Sequence, residues 1–255
     1  MLFNLDYIKK YLTNNQHTEI DVEGNEYTEF KPVPYRWAHG ATDNSLGDGL
    51  LVYSLIHFMR AKVCVCLGSG GGFIPRIMTQ ARQDLHTAGI FKGDDGISWG
   101  DIGTTFVVDA ANEVGGKVNW LNEDSFFRKK FCPRIINDTT ENAYHNFFIK
   151  EDIKIDYLHI DAGHSYEDVK KDFSLYSKIL SPNGIISLHD TDIRYAENYI
   201  VTKDITDQND HDDFAKGPSK FIKEIGKEWQ RFDFFNEGIL KDKPSSTGLT
   251  LIRHA

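Results

Sequence analysis

Two short segments carry side chains whose types and spacing suit proton and cation chemistry. The run Ile155–Asp161 (IDYLHID) is followed by His164, and the run Gly184–Asp190 (GIISLHD) closes on His189 and Asp190. Imidazole exchanges protons near neutral pH, and carboxylates ligate hard divalent cations. A third segment, Gly68–Gly72 (GSGGG), stands between an apolar run and a helical pattern. With no Cβ in the way, its backbone can turn sharply and approach a cofactor closely. Such turns serve nicotinamide, flavin and S-adenosylmethionine (SAM) binders alike. No Lys-Ser or Lys-Thr follows the glycines, which disfavours phosphoryl transfer from ATP. Asp109 closes another apolar run and suits the ribose hydroxyls of any nucleoside cofactor. His159, inside its run, reads as a satisfied core histidine. Cys66, in a buried run without a cationic neighbour, should remain a thiol.

Positioning these residues requires strands alternating with helices, the pattern of parallel βαβ units. Strands are predicted at Ala61–Leu67, Thr104–Asp109, Arg134–Asp138, Ile155–Asp161 and Gly184–Asp190. Their ends carry Gly68, Asp109, Asp138, Asp161, and His189 with Asp190. Open parallel sheets bind ligands at the carboxyl ends of their strands, so these residues in register point to a ligand crevice. Helices are predicted over Leu46–Met59, Phe73–Arg82, Ser165–Leu180 and Pro218–Trp229. Ser165 and Asp168 form a capping-box-like start, and Ser181–Gly184 (SPNG) forms a turn. Two final strands, near Phe232–Phe235 and Gly248–Arg253, form an antiparallel pair. Gln83–Gly103 and Asp204–Asp213 read as long loops. The expected fold is α/β, a doubly wound, mostly parallel seven-stranded sheet with an antiparallel last strand.

The chain has 255 residues, with 29 Lys plus Arg against 38 Asp plus Glu, a net charge of −9. An acidic surface repels phosphate backbones, so nucleic acid is an unsuitable partner. Three cysteines, Cys64, Cys66 and Cys132, make no disulfide framework and suit a reducing cytoplasm. Met1–Leu12 reads as a short amphipathic helix rather than a signal peptide, and no apolar run is long enough to span a membrane.

The segment Ile155–Thr191 (IDYLHIDAGHSYEDVKKDFSLYSKILSPNGIISLHDT) resembles the class I SAM-dependent methyltransferases. Within them it resembles the branch of macrolide-sugar O-methyltransferases and cephalosporin-hydroxylase-like proteins. The resemblance covers residues 61–255, leaving 1–60 as an N-terminal cap or arm. It implies a SAM-dependent O-methyltransferase assisted by Mg²⁺ or Mn²⁺ and acting on a small hydroxylated acceptor, a sugar or glycosylated metabolite. It also implies that Gly68, Ser69 and Gly70 line the methionine and ribose of SAM, that Asp109 holds the ribose, and that Asp138 and Thr139 lie near the adenine. Asp161 and Asp190 would ligate the metal, and His164 occupies the position of the general base. The residue before Asp190 is acidic in some relatives. Here His189, or else Asp192, would be the third ligand. Relatives usually carry Glu or Asp where this chain has Cys66. Alternative readings are a hydroxylase-like oxidoreductase on the same fold and a non-catalytic methyltransferase-like binding protein. Trp37, His39, Tyr195 and Tyr199 are candidates for the acceptor pocket, and a homo-oligomer stays open.

Overall fold

The computed structural model describes residues 38–41, 45–70, 72–90, 104–110, 133–194, 216–235 and 246–255, and the backbone of four two-residue strands within 14–32. The proposed helix at Met1–Leu12, Cys132, Trp37, Tyr195, Tyr199, the loop Asp204–Asp213 and most of Gln83–Gly103 lie outside the described residues.

Seven strands form one sheet: β1 (Val63–Leu67), β2 (Thr104–Val108), β3 (Arg134–Ile136), β4 (Ile155–Ile160), β5 (Leu180–His189), β6 (Trp229–Phe234) and β7 (Leu249–His254), in the spatial order β6-β7-β5-β4-β1-β2-β3. The five strands from β1 to β5 run parallel, and β7 lies antiparallel to both β5 and β6. This is the doubly wound seven-stranded sheet expected from the sequence.

Helices cover both faces, so the central strands are apolar throughout. Because side chains alternate along a strand, Cys64 and Cys66 of β1 pack with α1 (Asp48–Met59) and α2 (Phe73–Thr87). Val65 and Leu67 face the other way, onto α3 (Thr140–Ala143, continued by a π-turn, Tyr144–Phe148) and α4 (Tyr166–Tyr176). The same division places Val107 and Tyr157 on the first face, and Phe106, Leu158 and Ile160 on the second.

Three local expectations change. Helix α2 runs on to Thr87, taking in the first residues of the stretch read as a loop. The helix expected over Pro218–Trp229 ends in a 3₁₀ turn, Ile222–Glu224; Ile225 leaves helical geometry, and a Gly226–Trp229 turn makes Trp229 the first residue of β6. Hydrophobic spacing alone does not reveal that Gly226 breaks the run. The SPNG segment is a turn-like irregularity within β5: Leu180 already pairs with Ile155, and pairing resumes at Tyr157 with Ile185.

The register builds the site. Leu67, Ile160 and Leu188 are partners across β1, β4 and β5, so Gly68, Asp161 and His189 leave the sheet side by side. Antiparallel β7 pairs Leu249 with His189, which brings its entering residues Ser246 and Thr247 to the same edge. Just beyond His164, the Ser165 hydroxyl caps α4 by accepting from the Asp168 N–H at 3.1 Å and donating to the Asp168 carboxylate at 2.7 Å. Ser165→Ala should therefore lower stability by about 1 kcal/mol, read as a reduced urea midpoint with an unchanged slope.

Candidate active site

The centre of the crevice lies between β1 and β4, where the strand order reverses direction. Gly68 has φ +76°, and a Cβ there would come within 2.0 Å of the Asp161 carbonyl oxygen, so only glycine lets the two loops meet. Ser69 donates its hydroxyl to Asp109 Oδ2, tying the glycine loop to the end of β2, while the Asp109 N–H bonds the Ile136 carbonyl. Cys66 donates its thiol to the Gly68 carbonyl at 3.0 Å. Burial, then the nearby Asp161 and Asp109 charges, raises its pKa well above the ordinary thiol value, which keeps it a thiol.

Asp138 and Thr139 are engaged in starting α3. Thr139 Oγ1 accepts from the Asn142 N–H at 3.2 Å, and Asp138 Oδ1 accepts from the Thr139 N–H and the Asn142 amide.

The remaining residues singled out in the sequence converge. His164 Nε2 lies 2.9 Å from Asp190 Oδ2 and 3.4 Å from Asp161 Oδ1. His189 Nδ1 lies 3.2 Å from Asp161 Oδ1 and 3.3 Å from Asp190 Oδ1. Asp190 takes the left-handed φ of +58°, rare for a residue with a side chain and typical of functional turns. Asp192 is turned away into a bidentate pair with Arg194, at 2.9 and 2.7 Å.

Burial would lower the pKa of each imidazole, yet His164 is raised to about 10 by hydrogen bonds to Asp161 and Asp190, and His189 to about 10 chiefly by the charges of Asp190 and Asp161. Burial opposes ionisation of the carboxylates as well, but the His189 charge and the histidine hydrogen bonds hold Asp161 well below its usual value and Asp190 at about 2. In this state two imidazolium ions balance two carboxylates.

Several residues of the cluster were not assigned from the sequence. His189 Nε2 donates toward the Ala38 carbonyl at 3.2 Å and Thr247 Oγ1 at 3.0 Å, and Thr247 donates to Asp190 Oδ1. Asp48 accepts from Ser246 at 2.6 Å, and burial pushes its carboxyl up to about 6. The sequence offers little signal for these, since Ala38 and Thr247 are 209 positions apart. His39, marked as a pocket candidate, is buried against Phe73 and His189, with ring centroids 5.5 and 4.1 Å away. His159 is a core residue, but half satisfied: Nδ1 bonds Ser187 at 2.8 Å, while buried Nε2 has no hydrogen-bond partner among the described residues and lies 3.9 Å from Asp161.

Residues 65–191 match the methyltransferase domain family, a span that runs from β1 to the residue after Asp190. Over that stretch, just under half of the chain, the sequence is similar to that family. An uncharacterized protein, y4gI, of Sinorhizobium fredii is 46% identical over 151 residues, covering 55% of this chain and 14% of that protein. The chain thus spans about a seventh of the length of this relative. Among solved structures, the O-methyltransferase from Bacillus cereus in complex with S-adenosylhomocysteine superposes with a TM-score of 0.57 at 12% identity, covering 88% of this chain and 84% of that one. The O-methyltransferase TomG from Streptomyces achromogenes, involved in tomaymycin synthesis and solved with SAM, gives 0.55 at 12% identity, covering 83% and 81%. At that identity they show the fold, which is that of class I O-methyltransferases. No helix among the described residues is long and apolar enough to cross a membrane.

The charge arrangement sets a pH dependence for the ion-free methyltransferase domain. His164 and His189 have folded pKa values raised from 6.5 to about 10. Their contribution is complete below about 6.5 and is lost as pH rises toward about 10, where the unfolded chain has already released the protons. Urea midpoints should fall steadily across that window, and Asp190→Asn, which removes one of the two balancing charges, should flatten the fall.

Proposed function

We propose that the chain transfers a methyl group from SAM to a hydroxyl of a small acceptor, a sugar or glycosylated metabolite, with a divalent cation at Asp161, His189 and Asp190. The observation that carries this reading is the convergence of His164 with Asp161 and Asp190 beside the glycine loop of a methyltransferase domain. The sugar class of acceptor is supported by the resemblance of Ile155–Thr191 to macrolide-sugar O-methyltransferases.

The residues present fit both groups. Gly68, Ser69 and Gly70, with Asp109 at the end of the adjacent strand, would hold SAM; among the described residues a Cβ on Gly70 would meet nothing within 4 Å. For the cation, His189 Nδ1 faces an oxygen of Asp161 at 3.2 Å and of Asp190 at 3.3 Å. The proton that His189 directs from Nε2 to Ala38 and Thr247 selects the tautomer whose Nδ1 lone pair points to the carboxylates, the usual outer support of a ligating histidine. When bound, SAM supplies an electrophilic sulfonium methyl, and the cation lowers the pKa of an acceptor hydroxyl.

His164 then has a definite task. Its proton is held between Asp161 and Asp190, and once those carboxylates are engaged elsewhere its pKa returns toward the range in which imidazole accepts protons. Nε2 is the atom of this chain placed to take the acceptor's hydroxyl proton. Half-buried Asp161 and Asp190, with buried Thr247, hold that nitrogen's surroundings in place, so much of the acceleration would come from positioning.

Transfer of label from methyl-labelled SAM to a panel of glycosides, in Mg²⁺ or Mn²⁺, tests the reading. His164→Gln should lower kcat by about 10²- to 10⁴-fold while leaving SAM affinity within about twofold of wild type. Absence of SAM binding to the wild-type chain, or wild-type turnover in the variant, would contradict it.

A further inference from the structure

We propose that His39 is a further metal ligand. It would place a second imidazole on the ion held by Asp161 and His189, so that the site selects a first-row transition ion such as Mn²⁺, Fe²⁺ or Co²⁺ over Mg²⁺. This rests on the cation site proposed above and adds to it a residue from outside the strand ends.

One oxygen of Asp161 and one nitrogen each of His39 and His189 lie within 4.8 Å of one another. Two ligand atoms at about 2.1 Å from one ion stand no more than about 4.2 Å apart, so seating an ion draws the set together by about half an ångström. The donors are buried: His39 is 6% exposed and His189 3%. His39 Nδ1 has no hydrogen-bond partner among the described residues; its nearest acidic atom, Asp48 Oδ2, is 4.0 Å away. Leaving a buried ring nitrogen without a partner is costly, and such an atom beside a cluster of ligands marks a place where a ligand is expected.

The surroundings hold His39 rigidly. Its carbonyl accepts from the Asp48 N–H at 2.8 Å, and its backbone bridges to Ser246 beside β7. Gly47 has φ +51°, and a Cβ there would come within 1.9 Å of that same carbonyl, so the chain can close over His39 only with glycine at 47. The ring stacks between Phe73 and His189. Carboxylates alone suit Mg²⁺, whereas imidazole suits later first-row ions, and two imidazoles with one carboxylate recur at iron and related sites. His39 thus converts an oxygen-dominated set into a mixed one.

The test uses the purified full-length chain stripped of metal and titrated separately with Mn²⁺, Co²⁺ and Mg²⁺. Ion affinity is read by calorimetry, and the number of coordinated imidazoles by electron spin echo modulation of the Mn²⁺-loaded protein carrying ¹⁵N-histidine. Wild type should bind Mn²⁺ and Co²⁺ at least tenfold more tightly than Mg²⁺ and show two coupled imidazoles. His39→Gln, and His39→Phe, which retains the stacked ring, should lose one coupled imidazole and at least tenfold in Mn²⁺ affinity, with Mg²⁺ affinity changed less than twofold. One imidazole in wild type, or unchanged Mn²⁺ affinity in both variants, overturns the role of His39 and leaves the Asp161 and Asp190 site standing. No ion bound by wild type overturns both, while SAM titration of the same sample separately reports on the methyltransferase reading.

Discussion

Two carboxylates, Asp161 and Asp190, are brought to the same point at the ends of neighbouring parallel strands, largely out of water. Like charges at such separation cannot both remain ionised without compensation. Here His164 and His189 supply it, each bridging the two carboxylates at distances between 2.9 and 3.4 Å. The arrangement is balanced by protons when no cation is present, and the same geometry that favours those protons suits a divalent ion in their place. Much of the crevice can be understood as what is needed to keep these four groups converged: the left-handed turn at Asp190, the Thr247 hydroxyl against its carboxylate, and the Ala38 carbonyl against the far side of His189.

The SAM side of the crevice is built by a different constraint, close approach of backbones. Gly68 lets the first strand's exit pass within contact of the Asp161 peptide, and Ser69 links that turn to Asp109. The family resemblance implies an acidic residue where Cys66 stands. In this chain the thiol donates to the Gly68 carbonyl, so it still braces the glycine turn, though without a negative charge.

The strand ends were legible in the sequence because continuous apolar runs, each ending in Gly or Asp, define buried parallel strands and what must emerge from them. The doubly wound, seven-stranded sheet and the antiparallel pairing of its last two strands followed from the same pattern and the resemblance it carries. Helix limits were less legible: α2 extends beyond Arg82, and Gly226 ends a run whose apolar spacing continues to Trp229. His164, His189, Asp161 and Asp190 were each visible, but their mutual geometry was not, since it depends on the register of β4 with β5. Thr247 and Ser246 were missed because they enter an antiparallel strand, whose beginning, rather than its end, reaches the crevice. His39 and Ala38 arrive from before α1, and no local pattern records that they close against residues more than two hundred positions later.

The central proposal is that Asp161, His189 and Asp190 hold a cation beside the SAM crevice, with His164 next to it as the proton acceptor. Anomalous diffraction at the manganese edge, from crystals grown with Mn²⁺ and S-adenosylhomocysteine, tests it most directly. The account predicts one strong peak within ligand distance of Asp161, His189 and Asp190, with the nucleoside lying against Ser69 and Asp109. A manganese peak elsewhere, or none while the nucleoside is bound, would contradict it.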